Sequence, residues 1–208
     1  MLKLTNVKKY YGAQLILDIP HLELSARMNW LKGGNGTGKS TFMKMVAGII
    51  PFEGSIEILS VDLKAKPIEY RRLINYVEAE PLYPPFLTGL DLIHFFRTTR
   101  KASKEEVDKL VLELGIGSFI GNPIHTYSSG MVKKLSLALA FTGKPAFILL
   151  DEPLVTIDQE TVPLLYQLIN DYFNRGTNFI LTSHQSVDLD RLPPSKELIL
   201  NDHKICVP

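Results

Sequence analysis

Gly33-Gly34-Asn35-Gly36-Thr37-Gly38-Lys39-Ser40-Thr41 is a complete phosphate-binding loop. The glycines around Asn35 and Thr37 let the backbone curl tightly enough to aim successive N–H groups at phosphate oxygens. Lys39 can reach the β- and γ-phosphates, and the Ser40 hydroxyl can ligate Mg²⁺. The segment that follows, Ser40 to Ala47, is rich in good helix formers, so a helix N-terminus adds its positive dipole end beneath the phosphates. Just upstream, Met28–Leu31 reads as the strand that enters the loop, although Asn29 and Lys32 require partners or solvent there. The pattern predicts a nucleoside triphosphate site on a strand–loop–helix unit.

Outward from the loop, short strand-like runs recur at Leu2–Thr5, Leu15–Ile19, Ser55–Leu59, Ile74–Val77, Phe147–Leu150, Phe179–Thr182 and Glu197–Leu200. The early ones are closely spaced and joined by turns, which predicts an antiparallel piece. The later ones alternate with helical stretches, as strands of a parallel sheet do. Between them, Thr88 to about Phe141 reads as mostly helical, with helix-compatible apolar spacing at Asp91–Phe96 and Val107–Leu112 and a C-cap at Gly115. The expected fold is α/β: a mainly parallel sheet flanked by helices, with an N-terminal antiparallel β subdomain and an inserted helical subdomain. One domain covers residues 1–208, with a core of about 1–80 and 143–208 around an insertion of about 81–142.

The chain has 208 residues, 45% of them hydrophobic and 22% charged, which suits a globular domain with a sizeable core. A formal net charge of +1 gives no electrostatic case for nucleic acid as a partner. The single cysteine, Cys206, has no partner for an internal disulfide, which fits a reducing compartment. The N-terminus lacks the long apolar run of a secretory signal. No stretch reaches the roughly 20 apolar residues of a membrane span. A cytoplasmic location follows as the expectation, with any membrane association made through a partner.

A second site feature lies at Ala146-Phe147-Ile148-Leu149-Leu150-Asp151-Glu152-Pro153, an apolar strand delivering two acids at its C-terminal end. Ligands of open α/β sheets bind at that edge. An aspartate there can hold the Mg²⁺ shell, and a glutamate beside it can orient and deprotonate the attacking water.

With both motifs in place, the whole chain resembles an ATP-binding-cassette (ABC) ATPase, the nucleotide-binding subunit of a transporter. Gly33–Thr41 matches that family's Walker A motif, and Phe147–Glu152 its Walker B motif with the catalytic glutamate. Tyr127-Ser128-Ser129-Gly130-Met131 falls where the family carries its signature, keeping Ser128 and Gly130 while Tyr127, Ser129 and Met131 depart from the common form. That variant resembles exporter-type cassettes. Asp158 matches the D-loop aspartate, His184 the switch histidine, and Tyr11 the aromatic that stacks on adenine, with Tyr10 its adjacent rival. Lys133 and Lys134, after the signature, read as a solvated helix face. Where the family places a Q-loop glutamine, the segment reads Glu78-Ala79-Glu80-Pro81, with Glu78 or Glu80 as substitutes for a metal contact through water.

The resemblance implies ATP and Mg²⁺ as cofactors and an ATP-bound dimer, either a homodimer or a pairing with a second ABC subunit. In such a dimer Lys39, Ser40, Asp151, Glu152 and His184 of one chain face Ser128, Ser129 and Gly130 of the other. It also implies an integral membrane permease as partner, contacted through the helical insertion and the apolar Glu78–Phe86 loop with Leu82, Tyr83 and Phe86. With no membrane span and no tail beyond Pro208, the expectation is a cassette that drives a separate membrane protein. The alternatives are a soluble ABC ATPase of translation or DNA maintenance, which usually carries two cassettes or long insertions, and a non-hydrolysing ATP-dependent dimerisation switch. Small GTPases and nucleotide kinases fit less well: the chain has no Asn-Lys-x-Asp guanine motif, and neither family accounts for Tyr127–Met131 or His184.

Overall fold

Long alternating strands build the first part of the chain. In the computed structural model, which describes residues 1–184 and 188–207, β1 (Leu2–Tyr11) pairs antiparallel with β2 (Gln14–Leu24) across a turn at Gly12. On its other side β1 pairs with β4 (Glu53–Ile58), and β5 (Val61–Asp62) closes that edge. The expected first strand ended at Thr5, but β1 runs on to Tyr11. Asn6 sits at φ +49 and shifts the alternation by one, so Leu2 and Leu4 point inward before it and Val7 and Lys9 after it. Lys9 is buried because its ammonium donates to the Pro51 carbonyl at 2.8 Å.

The second sheet has the order β10–β9–β3–β8–β7–β6. β3 (Met28–Lys32), β6 (Ile74–Val77), β7 (Phe147–Asp151), β8 (Asn178–Thr182) and β9 (Lys196–Asn201) run parallel, and β10 (Lys204–Cys206) turns back antiparallel. β5 and β10 were not expected; at two and three residues they are too short to carry a periodic signal. Alternate residues of the buried β7 feed two separate cores. Phe147 and Leu149 pack with α1 (Lys39–Val46) and the antiparallel sheet, whereas Ile148 and Leu150 pack with the helical side. The two polar residues of β3 have partners. Asn29 donates to the Ala26 carbonyl at 2.8 Å, and Lys32 pairs with Glu197 while lying 4.2 Å over the Trp30 ring.

α2 (Pro67–Arg72) leads into β6. From β6 the chain leaves the sheet and returns at β7, its immediate neighbour, after α3 (Gly89–Arg100), α4 (Lys104–Glu113) and α5 (Ser129–Ala140). Thr88 and Asp91 form a capping box at the start of α3, and Ser103 caps α4. α4 ends as its sequence suggests: Gly115 takes φ +64, with Gly115 N–H to the Leu112 carbonyl and Ile116 N–H to the Val111 carbonyl. α6 (Thr161–Asn174) then covers the helical-side core between β7 and β8.

Candidate functional site

The phosphate loop leaves β3 at the C-terminal edge of the parallel sheet and ends in α1. Two glycines show why the sequence is fixed there. A Cβ on Gly33 would lie 2.8 Å from the Leu200 carbonyl, and Gly38 takes φ +106 while a Cβ there would meet Ile16 at 3.1 Å. Thr37 closes the curl by donating to the Gly34 carbonyl at 2.9 Å. Lys39 is buried, and its ammonium donates to the Gly33 and Gly34 carbonyls at 2.8 and 2.9 Å. Burial lowers the Lys39 pKa, opposed by the nearby Glu152 and Asp151 carboxylates. With three protons on that ammonium and two carbonyls bound, one donor remains for an anion.

Asp151 ends β7 and Glu152 follows it in the bend, beside the loop. Asp151 is gripped at both carboxylate oxygens: Thr182 Oγ1 donates to Oδ1 at 2.7 Å, and the Tyr76 hydroxyl donates to Oδ2 at 3.2 Å. Thr182 lies opposite Asp151 on β8, and Tyr76 belongs to β6 on the other flank. The Tyr76 pKa is pushed far up, chiefly by burial and then by the Asp151 charge, so the phenol stays a donor. Glu152 adopts φ +47, a left-handed conformation rare outside glycine. It is held there by its own N–H donating to Thr182 Oγ1 at 3.0 Å and by the His184 N–H donating to Oε2 at 2.9 Å. Among the described residues Glu152 Oε1 is buried with no hydrogen bond, and His184 Nε2 lies 3.4 Å from it.

These groups converge. A cleft of about 460 Å³ is lined by Asn35, Gly36, Gly38 and Lys39–Thr41 on one wall, and by Asp151, Glu152 and His184 on the other. Tyr11, half-exposed, forms its rim together with Ile16. Of the two adjacent tyrosines only Tyr11 lines the cleft, and it is not a packed core residue. Gly33 and Thr37 shape the loop from behind. A second cleft of similar volume, beside Glu106, Tyr172 and Arg175, brings no comparable set of groups together. Ser40 and Asp151 offer a hydroxyl and a carboxylate to one cavity, the hard oxygen donors that Mg²⁺ takes, so the residues present fit that ion. Glu78 and Glu80 do not line the cleft. The Glu78 carboxylate is paired with Lys44 of α1 at 3.0 Å, and Glu80 is exposed.

The signature residues lie elsewhere. Ser128 caps α5, its Oγ accepting from the Met131 N–H at 3.3 Å, and Ser129 is exposed beside it. A Cβ on Gly130 would come within 2.9 Å of the Thr156 carbonyl, in the turn that leads to Asp158. Tyr127 is used inward, its hydroxyl accepting from the Gly89 N–H at 3.2 Å and donating to the Phe119 carbonyl at 3.0 Å. Asp158 pairs with Lys134 at 2.7 Å and accepts from Thr161, which together hold its carboxyl down to about 2.

The structure corrects the reading of the two lysines as a solvated face. Lys133 is fully buried, and its ammonium donates to the Glu78 and Ala79 carbonyls at 2.8 and 3.0 Å and reaches the Asp151 carbonyl at 3.4 Å. Its place one helical turn before the buried Leu137 carried the signal, but the charge masked it. Tyr83, grouped with the surface aromatics, packs partly into the helical-side core, while Leu82 and Phe86 are 91% and 77% exposed. Thr182 and Tyr76, which fix Asp151, went unread because each sits inside an otherwise ordinary strand.

A fold with two cores, a phosphate loop at the parallel sheet edge and paired acids opposite it defines a P-loop NTPase. The model of the ABC transporter family matches residues 22–155. The lantibiotic transport ATP-binding protein SrtF of Streptococcus pyogenes is 28% identical over 92% of this chain and 83% of its own length. The tungstate uptake system ATP-binding protein TupC of Peptoclostridium acidaminophilum is 30% identical over 90% of this chain and 88% of its own. The fold matches the dimeric structure of an ATP-binding cassette in a post-hydrolysis state bound to ADP and phosphate, with a TM-score of 0.80 and 23% identity, covering 99% of this chain and 96% of that one. The chain belongs to the ABC transporter family: it is an ATP-binding and ATP-hydrolysing transporter subunit rather than a soluble ABC ATPase of another kind.

Proposed function

We propose that this subunit works as one half of a head-to-tail pair, a homodimer or a pairing with a second ABC subunit, that closes on ATP and drives a membrane-spanning permease. The observation that carries this reading is the separation of the site into two parts. Lys39, Ser40, Asp151, Glu152 and His184 share one cleft, while Ser128–Gly130 stand on α5 outside it. A second chain completes the site by bringing its α5 N-terminus, with Ser128 as cap, against the γ-phosphate.

Within the cleft, the loop N–H groups and the remaining Lys39 proton hold the phosphates, and Tyr11 offers its ring to the base. Mg²⁺, held by Ser40 and Asp151, would neutralise charge on the phosphates. Glu152 acts on the attacking water: its Oε1 has an acceptor position to spare, and the His184 main chain fixes its other oxygen. His184 presents its ring on the γ-phosphate side, and Asp158 meets the partner chain. Rate enhancement here comes from positioning and electrostatic stabilisation.

Among the described residues no helix is long and apolar enough to cross a membrane. The permease contact falls on the exposed Leu82 and Phe86 and on the helical insertion, where Phe95 is also exposed, so the chain sits at the cytoplasmic face of a membrane through that partner. In the Leu82→Asp/Phe86→Asp variant, ATP-driven dimerisation, followed by light scattering in a Glu152→Gln background, should persist while recovery with the membrane fraction is lost. A variant that stays with the membranes would count against this surface.

A further inference from the structure

We propose that Lys133 is a positioning residue for hydrolysis, locking the Glu78–Ala79 backbone and the Asp151 carbonyl to the helix that carries Ser128–Gly130. This rests on the ATPase reading above. An ammonium is among the most expensive groups to bury, and Lys133 is buried completely. Among the described residues it has no ion-pair partner; three main-chain carbonyls accept hydrogen bonds from it instead. Those carbonyls belong to two segments: the loop that leaves β6, and the end of β7 one residue before Glu152. Burial lowers the ammonium's pKa to about 8, opposed by the nearby Asp151, Glu152 and Glu80 charges.

The arrangement has a second prong. Lys134, the next residue, holds Asp158. Two consecutive residues of α5 therefore grip the 78–79 loop and the end of β7 on one side, and the turn carrying Asp158 on the other. Asp151 is thereby fixed at three atoms: its carboxylate oxygens by Thr182 and Tyr76, its carbonyl by Lys133. A displacement of α5 when a partner's nucleotide meets Ser128 is passed through the Lys133 side chain to the acids of its own cleft.

The test compares Lys133→Met, which keeps the length and loses every donor, with Lys133→Arg, which restores donors. In the methionine variant kcat should fall about ten-fold while KM for ATP changes less than about two-fold, and the arginine variant should recover most of the loss. Without nucleotide, main-chain amides of residues 78–83 should exchange with solvent faster in the methionine variant than in the parent. A methionine variant with parental kcat and parental exchange would overturn the proposal. So would a parallel fall in kcat, ATP affinity and melting temperature that arginine does not repair, the mark of a merely structural lysine. If the methionine variant does not fold, Lys133→Gln, whose shorter side chain has two N–H donors for three carbonyls, should show a partial fall in kcat with faster exchange at residues 78–83, and parental values of both would overturn the proposal. A parent that fails to hydrolyse ATP would contradict the ATPase reading alone, because the exchange comparison needs no turnover.

Discussion

The phosphate-loop cleft and the α5 terminus are built in opposite ways from similar materials. In the cleft three charged side chains are already held within the chain: Lys39 by two loop carbonyls, Asp151 by Thr182 and Tyr76, Glu152 by His184. At the α5 terminus Ser128 and Ser129 are exposed, and the strongest bonds lie one turn deeper, at Lys133 and Lys134. One region is organised to bind before any partner arrives. The other is held at a fixed angle and offered outward. The contrast teaches that ATP binding draws on one cleft alone, whereas turnover draws on that cleft and on the α5 terminus together, and variants should separate the two.

The sharpest break should come at Glu152. Glu152→Gln removes the base and keeps the shape, so turnover should fall by about 10²–10⁴ while ATP binding holds, as single-turnover hydrolysis beside equilibrium binding will show. A variant that turns over at the parental rate would remove Glu152 from the base role. Lys39→Ala acts on affinity instead. Losing a charged hydrogen-bond donor costs about 1.5–3 kcal/mol, so ATP should bind roughly ten- to 150-fold more weakly, measured by nucleotide titration. Gly130→Ala tests the outward half. Its methyl would press on the Thr156 carbonyl, and turnover should drop about ten-fold with ATP affinity unchanged; a loss of affinity instead would erase the division of labour.

The smallest effect concerns Asp158. Its carboxyl is held down to about 2 by the Lys134 ammonium first and Thr161 next, so the pair stabilises the fold fully above the unfolded carboxyl's value of about 4. That contribution is lost as pH falls from there through about 2. The pair is half-exposed and screened, so it contributes less than about 1 kcal/mol. In Asp158→Asn the acid side of the stability profile, followed by urea unfolding between pH 4 and 2, should be shallower than in the parent.

Much of this division was legible in the sequence. Gly33–Thr41 and Phe147–Glu152 are contiguous motifs whose chemistry depends on spacing alone, and the continuous apolar run of β7 announced a strand buried on both faces. What stayed hidden depends on register between distant segments. Thr182 reaches Asp151 only because β8 lies beside β7, and Tyr76 only because β6 lies on the other flank. Lys133 misled because a charge on a helix ordinarily seeks water, and nothing local reveals three carbonyls waiting inside. Asn6 misled in the other direction, its bulge cutting a ten-residue strand into what reads as four.

The central claim is that each hydrolytic site needs two chains. Mg²⁺-dependent ATPase activity per chain, measured across a wide range of concentrations with the Glu152→Gln variant alongside, tests it most directly. The paired-site account predicts specific activity that climbs with concentration before levelling off, and its loss in the variant. Specific activity that stays constant down to the lowest concentration would contradict it, because a single chain would then complete the site alone.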